Sequence, residues 1–332
     1  MVISRGFKKI IDRKRRGKMT ITAFSNEKEK DWTLRENKEK LQKALALAKE
    51  QFSAHYPLNI NGEEIFSDKK SISRNPSNHQ EILGYVSQAD KNHVDEAIIA
   101  AKQAFGSWRL RTFRQRALFL IKAAELLRQR KTEFMAWLIY ESGKNIAEAE
   151  GDVNEAIDFL EMYARNAIEL GEGKQLLAMP KVENRMIYLP LGVGVIIPPW
   201  NFPLAILTGL TVSAVVTGNA VLIKPSSATP VIAAKFIQLL RETGLPDGVV
   251  NFVPGPSSEI GDYMVSHKDI NFISFTGSKE AGLHIDELAH QRIPEQRWIK
   301  RVISEMGGKD GIVVDETADL DAAAQGIVVS AF

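Results

Sequence analysis

From residue 192 onward the sequence alternates short apolar runs with segments that carry helix signals, and this rhythm allows few architectures. Gly192–Ile197 and Ala220–Lys224 have the largely apolar character of strands that are buried on both faces of a parallel sheet. Pro203 suits the first turn of an intervening helix, and Gly218 lies where a helix commonly ends. Repeated β-α-β units predict a doubly wound α/β sheet, with ligand sites at the carboxyl ends of its strands. Further strands are predicted at Val249–Val253, Ile270–Thr276, Val302–Glu305 and Ile312–Val314.

The residue pattern before position 192 predicts mainly helices. Asp90 is a suitable N-cap for a helix whose apolar residues recur three and four positions apart over 94–105. The same spacing recurs over 114–130 and 148–170, as in helices that pack on a core. We therefore expect an N-terminal strand and helical segment, residues 19–185, packed on an α/β domain, residues 186–332. Two strands are also predicted in the first segment, at Tyr56–Gly62 with its Asn-Gly hairpin signal and at Glu81–Ser87.

Residues 1–18 form a strongly basic leader, with eight Lys or Arg against one Asp. The whole chain carries +2, so the remainder has a net charge of −5. Three interpretations stay open: a surface that binds nucleic acid or another acidic partner, an Arg-rich transit peptide, and upstream sequence annotated in error before a true start at Met19. We favour the third, because Arg15-Arg16-Gly17-Lys18 can be encoded by a purine-rich stretch that resembles a bacterial ribosome-binding site, and otherwise expect the leader to be disordered. Nothing after residue 18 supports a nucleic-acid binder.

Several classes of protein are excluded by residue content. The chain contains no cysteine, which excludes a disulfide framework, a zinc-thiolate site and a cysteine nucleophile within these 332 residues. The six histidines never occur at metal-ligand spacing, so we expect no metal site. No apolar run approaches the ~18–20 residues of a membrane span. These features predict a cytoplasmic protein whose partner is a small molecule rather than a membrane or nucleic acid.

Polar residues follow each predicted strand. Asn201, in the stiff turn Pro198–Pro203, offers an amide donor that can stabilise an oxyanion, although it would equally suit a cap for the helix at Pro203. Lys224 ends the second strand and can reach ribose hydroxyls or phosphate, unless its long side chain simply extends to solvent.

The later strands end in similar ways. Ser278 places a hydroxyl and backbone N–H groups at a helix start, where phosphate binds, although the chain has no G-x-G-x-x-G fingerprint. Glu305 precedes two glycines and is either a general base or a partner of Lys309. Gly255 and Gly261 flank the loop between the third strand and its helix.

Taken together, the motifs PWNFP, KPS, FTGSxxxG (Phe275–Gly282) and EMGGK, in this order, resemble the aldehyde dehydrogenase superfamily from about residue 50 to the end. The resemblance implies a helical N-terminal segment on a Rossmann-type NAD-binding domain with an atypical fingerprint. It also implies that Asn201 is the oxyanion donor and Glu305 the base that activates the deacylating water. Lys224 would reach the adenosine ribose and Ser278 the pyrophosphate. The implied cofactor-binding residues are Ile197, Pro198, Pro199, Trp200, Lys224, Ser226, Ser227, Gly255, Gly261, Phe275, Thr276, Gly277, Ser278, Met306 and Gly307.

Within the superfamily, the segments IIPPWNFPLAI, NFVPG, EMGGKD and AIDFLEMYAR (Ala156–Arg165) resemble the bacterial L-glutamate γ-semialdehyde (1-pyrroline-5-carboxylate) dehydrogenase branch. This likeness implies oxidation of the semialdehyde to L-glutamate in proline catabolism, with reduction of NAD+, by an enzyme that is a homo-oligomer when full length. Another semialdehyde dehydrogenase is the alternative. NADP stays open as a cofactor because Ser227 stands where an acidic residue would disfavour a 2′-phosphate.

One departure from the family matters most. The family nucleophile lies in a G-x-x-G-Q-x-C segment that is expected immediately after Phe332, together with the catalytic domain, the nicotinamide-ribose segment and the oligomerisation strand. Without a thiol no covalent intermediate can form, so this chain alone is predicted to be inactive. We expect an interrupted gene, since the chain ends inside an apolar helical pattern. The alternative is a non-catalytic nucleotide-binding fragment or pseudogene product.

Overall fold

A computed structural model describes residues 11–13, 19–174, 176–177, 180–181 and 184–331, which form twelve strands, ten α-helices and a π-helical turn at Ser257–Gly261. The strands are β1 (Ile11–Arg13), β2 (Met19–Ile21), β3 (Ala54–Tyr56), β4 (Leu58–Ile60), β5 (Glu63–Ile65), β6 (Lys70–Asn75), β7 (Asn78–Ser87), β8 (Val193–Ile197), β9 (Ala220–Ile223), β10 (Val250–Phe252), β11 (Phe272–Gly277) and β12 (Arg301–Met306). The helices are α1 (Arg35–Glu50), α2 (Lys91–Trp108), α3 (Phe113–Gln129), α4 (Lys131–Ser142), α5 (Ile146–Glu172), α6 (Ala205–Val216), α7 (Pro230–Glu242), α8 (Asp262–Ser266), α9 (Lys279–His290) and α10 (Leu320–Ala331).

The main sheet has seven strands in the order β12-β11-β8-β9-β10-β4-β5. The five strands from β8 to β12 are parallel, and the hairpin β4–β5 extends the sheet from the N-terminal segment. Numbered within the parallel part, the order is 3-2-1-4-5, as in the first half of a Rossmann fold. The direction of winding reverses between β8 and β11, and this switch point opens a crevice at the carboxyl ends of the strands. The predicted doubly wound sheet is confirmed.

Both faces of strands β8 to β11 are covered, which explains their largely apolar runs, whereas β12 alternates exposed and half-buried residues. Successive residues of a strand point to opposite faces. Val221 and Ile223 of β9 join a large core with the helical layer α3–α7, whereas Ala220 and Leu222 join a second core with α2, α8 and α9. The helices of the N-terminal segment therefore pack on both faces of the sheet, α3 to α5 on one face and α2 on the other.

The structure confirms several local features that the sequence predicts. Asn61 and Gly62 have φ angles of 52° and 80°, as a type I′ turn requires, and they connect β4 to β5. Asp90 caps α2 by accepting a hydrogen bond from the backbone N–H of His93 at 3.0 Å. Of the basic leader, 1–10 and 14–18 lie outside the described residues, while Ile11–Arg13 pairs with Met19–Ile21 in an antiparallel ladder.

Other predictions are wrong in detail. Helix α6 begins at Ala205 rather than Pro203, and Leu204 is its N-cap residue. The predicted strand Ile312–Val314 is an irregular segment in which Val313 is 93% exposed, and helix α10 beyond it has no buried residue. An apolar run without neighbouring strands has nothing to pair with, so it forms no ladder. The boundary between residues 185 and 186 stays a prediction. No helix in the described ranges is long and apolar enough to cross a membrane.

The long helix α5 depends on a local capping box. Asn145 accepts from the backbone N–H of Glu148 at 2.9 Å, and Glu148 accepts from the backbone N–H of Asn145 at 2.8 Å. We expect Asn145→Ala to lower the free energy of unfolding by about 1 kcal/mol, since it leaves a helix N–H without its acceptor. Urea denaturation measures the change. Asn145→Asp is the matched control because it keeps an acceptor, and an equal loss in both variants would contradict the capping role.

Candidate active site and its relatives

The carboxyl ends of the parallel strands border one groove of about 550 Å³. It lies over the switch point between β8 and β11, where a doubly wound sheet binds its ligands. Residues after β8, β9, β11 and β12 all contribute to its wall. The lining residues are Ile197, Pro198, Pro199, Trp200, Asn201, Ile206, Lys224, Pro225, Ser226, Ser227, Ser257, Phe275, Thr276, Gly277, Ser278, Ala281, Met306 and Gly307.

The structure brings most of the sequence-predicted residues together here. Of the fifteen residues expected to bind cofactor, thirteen line the groove, and only Gly255 and Gly261 do not. Gly255 has a packing role instead: a Cβ atom there would lie 2.6 Å from Ile260 Cδ1 and 3.0 Å from the Ala89 carbonyl oxygen. Four further lining residues are not among the expected ones, although Ile206, Pro225 and Ala281 lie within the quoted segments IIPPWNFPLAI, KPS and FTGSxxxG. These are Ile206, Pro225, Ser257 and Ala281.

Lys224 is the one cationic side chain of this lining, and the lining contains no carboxylate. The residue is only 4% exposed, so it does not simply extend into solvent. Within the described part of the chain no carboxylate lies within ion-pairing distance of it. Burial lowers the pKa of the Lys224 ammonium from 10.5 to about 8. The groove therefore presents an unpaired, partly desolvated cation that suits an anionic or hydroxyl-rich ligand.

Asn201 is exposed in the loop before α6. It does not cap that helix, because the N-cap position is Leu204, which makes no side-chain cap. The carboxylate of Asp152 on α5 supplies the acceptor instead, at 2.6 Å from the backbone nitrogen of Ala205. The interpretation of Asn201 as a helix cap is therefore wrong, and its amide is left to face the groove, which it lines.

Ser278 lies at the start of α9, where its hydroxyl accepts from the backbone N–H of Ala281 at 3.2 Å. The residue is exposed and lines the groove, so its hydroxyl and the first N–H groups of the twelve-residue helix face the same ligand space. A helix N-terminus with free N–H groups is a favourable place for phosphate oxygens.

Glu305 lies on β12, next to Thr276 of β11, and is exposed. It does not line the groove, whereas its neighbour Met306 does, because adjacent strand residues point to opposite faces. No ion pair with Lys309 forms among the described residues, so that interpretation gains no support. Glu305 therefore points to the opposite face of the sheet from Met306.

The arrangement offers no metal centre. In the ranges that the structure describes, no three His, Asp or Glu side chains gather as metal ligands. The groove instead combines a cation, several hydroxyls, a helix N-terminus and a partly apolar wall that contains Trp200 and Phe275. These features fit the ribose, pyrophosphate and aromatic rings of a dinucleotide.

Comparison with known proteins agrees with this geometry. The model of the aldehyde dehydrogenase family matches residues 66–332. A 1-pyrroline-5-carboxylate dehydrogenase of Oceanobacillus iheyensis is 52% identical over 312 residues, which are 94% of this chain and 61% of that protein. The enzyme of the same name from Bacillus subtilis is 50% identical over 314 residues, which are 95% of this chain and 61% of that protein.

Solved structures of related proteins match the fold of this chain. A crystal structure of 1-pyrroline-5-carboxylate dehydrogenase from Thermus with bound NAD has a TM-score of 0.90 and 46% identity, over 94% of this chain and 61% of that one. This chain thus spans about three fifths of the length of these relatives. A family match over most of the chain, with relatives that are half identical, shows that the chain belongs to the aldehyde dehydrogenase family.

Proposed function

We propose that this chain forms the NAD-binding part of an enzyme that oxidises L-glutamate γ-semialdehyde to L-glutamate. The observation that carries the proposal is the groove at the switch point, with a single buried cation and no carboxylate in its lining. The relatives named 1-pyrroline-5-carboxylate dehydrogenase support the substrate. Cytoplasmic location, and a homo-oligomer for the full-length enzyme, remain predictions from the resemblance.

Different residues of the groove would bind different parts of the dinucleotide. Lys224 and the neighbouring Ser226 hydroxyl would bind the adenosine ribose. Ser278 and the N–H groups that begin α9 would bind the pyrophosphate, which is where a helix dipole favours negative charge. Trp200 and Phe275 would provide apolar surface beside the bound molecule.

The chemistry at the aldehyde needs two further groups of this chain. Bound NAD+ supplies the acceptor for the hydride that leaves the aldehyde carbon. When a thiolate, which these 332 residues do not supply, adds to the carbonyl carbon, the aldehyde oxygen gains negative charge. The Asn201 amide would donate a hydrogen bond to that oxygen, which lowers the barrier. Glu305 would take a proton from the water that releases the carboxylate product.

Binding of NAD+ to the purified chain is the direct test, measured by titration calorimetry. We expect saturable binding that Lys224→Met weakens, with Lys102→Met, a surface lysine that pairs with Asp269, as the matched control. If the parent chain does not bind NAD+ at millimolar concentration, the proposal is wrong. A second candidate is a nucleotide-binding fragment without catalysis. The absence of cysteine from these 332 residues favours it for the chain as it stands.

The groove is also expected to accept NADP+, because no carboxylate in the lining would repel a 2′-phosphate. The lysine pKa is lowered to about 8, so the Lys224 ammonium is present below that pH and is lost above it. We therefore expect the affinity for NADP+ to fall by up to about tenfold between pH 7 and pH 9. Lys224→Arg should keep the affinity constant over this range, because arginine stays charged. An unchanged pH profile in the parent chain would show that Lys224 does not contact the phosphate.

A further inference from the structure

Two helices begin directly after the loops that build the groove. Helix α6 follows residues 198–204, which contain Asn201, and helix α7 follows residues 224–229, which contain Lys224. Neither N-cap residue, Leu204 or Thr229, accepts a hydrogen bond with its side chain. The first N–H groups of a helix lack partners within the helix, so these buried ends need acceptors from elsewhere.

For α6 the acceptor comes from the helical layer. Asp152 of α5 is completely buried, and its Oδ1 lies 2.6 Å from the backbone nitrogen of Ala205. Its Oδ2 lies 3.4 Å from the Nζ of Lys144, an ion-pair distance. That Nζ is also 4.0 Å from the ring centre of Phe202, which is the residue next to Asn201. The turn is therefore held at two points, by a carboxylate at its end and by a lysine at its aromatic residue.

For α7 a different carboxylate plays the same part. Glu141 of α4 is buried, and its two oxygens accept from the backbone N–H groups of Val231 at 2.8 Å and Ile232 at 2.7 Å. The Ser73 hydroxyl, on β6, donates to the same carboxylate at 2.6 Å. The start of α7 is thus fixed to both α4 and β6, elements distant from the groove.

We propose that Asp152 and Glu141 are positioning residues, each of which holds one groove loop through the helix that follows it. Asp152 fixes the loop of Asn201, and Glu141 fixes the loop of Lys224 and Ser226. A carboxylate that accepts from a helix N-terminus makes a stronger bond than a neutral cap. Because these acceptors come from the helical layer, neither Asn201 nor Lys224 is needed to cap the helix that follows its loop. What the groove binds rests on the proposed function, whereas the clamping of the loops does not.

The test compares two ligands and two variants. AMP reports on the adenosine half, and NAD+ reports on the whole groove. We expect Glu141→Ala to weaken AMP and NAD+ by about tenfold each, because the loop of Lys224 becomes mobile. Asp152→Ala should leave AMP within about twofold and weaken NAD+ by about fivefold. If the two carboxylates only stabilised the fold, each variant would weaken AMP and NAD+ equally. Equal weakening of both ligands in both variants would therefore overturn the proposal.

Amide hydrogen exchange provides a readout that is independent of any ligand. We expect the exchange of the Ala205 amide to accelerate in Asp152→Ala alone, and that of the Val231 and Ile232 amides in Glu141→Ala alone. Unchanged exchange in folded variants would refute the proposal. If the parent chain binds neither AMP nor NAD+, the proposed function fails and exchange still decides the clamping. If an alanine variant does not fold, Asp152→Asn and Glu141→Gln, which keep one neutral acceptor, should show the same pattern at reduced size.

Discussion

The purified 332-residue chain, supplied with NAD+ and L-glutamate γ-semialdehyde, is expected to form no NADH above the enzyme-free rate. The family chemistry begins with attack of a cysteine thiolate on the aldehyde, and this chain contains no cysteine. In the proposed function the Asn201 amide and the Glu305 carboxylate would assist that step and the later hydrolysis, but neither would replace the nucleophile. Absorbance of NADH, followed with the purified protein, measures the rate. Aldehyde-dependent NADH formation would show that another nucleophile acts.

A chimera supplies the positive half of the same prediction. The region that matches the Bacillus subtilis relative covers 95% of this chain and 61% of that relative. The C-terminal part of the relative can therefore be joined after this chain. We expect the chimera to turn over the semialdehyde at an ordinary enzymatic rate, on the order of 1–10 per second. The matched control carries alanine in place of the cysteine of the G-x-x-G-Q-x-C segment and should be inactive. A folded chimera that binds NAD+ but leaves the semialdehyde unchanged would contradict the proposed function.

Apolar surface is exposed at the edge strand β12 and at helix α10. Ile303 on β12 is 56% exposed, and helix α10 buries none of its residues. Large exposed apolar surfaces mark places where another polypeptide packs or where chains aggregate. The chimera should therefore also be less prone to aggregate than the chain alone, and light scattering at matched concentrations measures the difference.

Much of the fold is readable from the sequence because its signals are local. Strand Ala220–Ile223 is apolar without interruption, since both of its faces are buried. The hairpin at Asn61 and Gly62 and the cap at Asp90 follow from residue types that suit one backbone conformation. The motifs at the strand ends were sufficient to predict most of the groove, because parallel strands bring their carboxyl ends to one edge.

What the sequence could not predict depends on contacts between distant residues. Helix α4 is buried on most sides, with Phe134 to Leu138 all inaccessible, so it lacks the periodic stripe that identifies a surface helix. Asp152 and Glu141 look like ordinary charged residues of helices, and only the packing shows that they cap α6 and α7. Gly255 looks like a ligand-binding glycine, yet its lack of a side chain is required by Ile260.

The proposed catalytic role of Asn201 predicts the second large effect. In the active chimera, Asn201→Ala should lower kcat by about 100–1000-fold, because one hydrogen bond to the developing oxyanion is lost. The dissociation constant for NAD+ should stay within about twofold, since Asn201 makes no hydrogen bond in the described structure that would shape the groove. Steady-state kinetics and calorimetry on the same preparation separate the two quantities.

Glu305→Gln is the informative comparison, because it affects a different step. Loss of the base slows hydrolysis of the acyl-enzyme. NADH from the first turnover should therefore appear as a burst, followed by a slow steady rate that hydrolysis limits. Asn201→Ala should show no burst, because it slows formation of that intermediate. A burst in Asn201→Ala, or a large loss of NAD+ affinity, would mean that the amide shapes the cofactor groove instead of stabilising the oxyanion. Asn201 is exposed and does not make the capping bond that Asp152 makes. This position favours a role in stabilising the oxyanion.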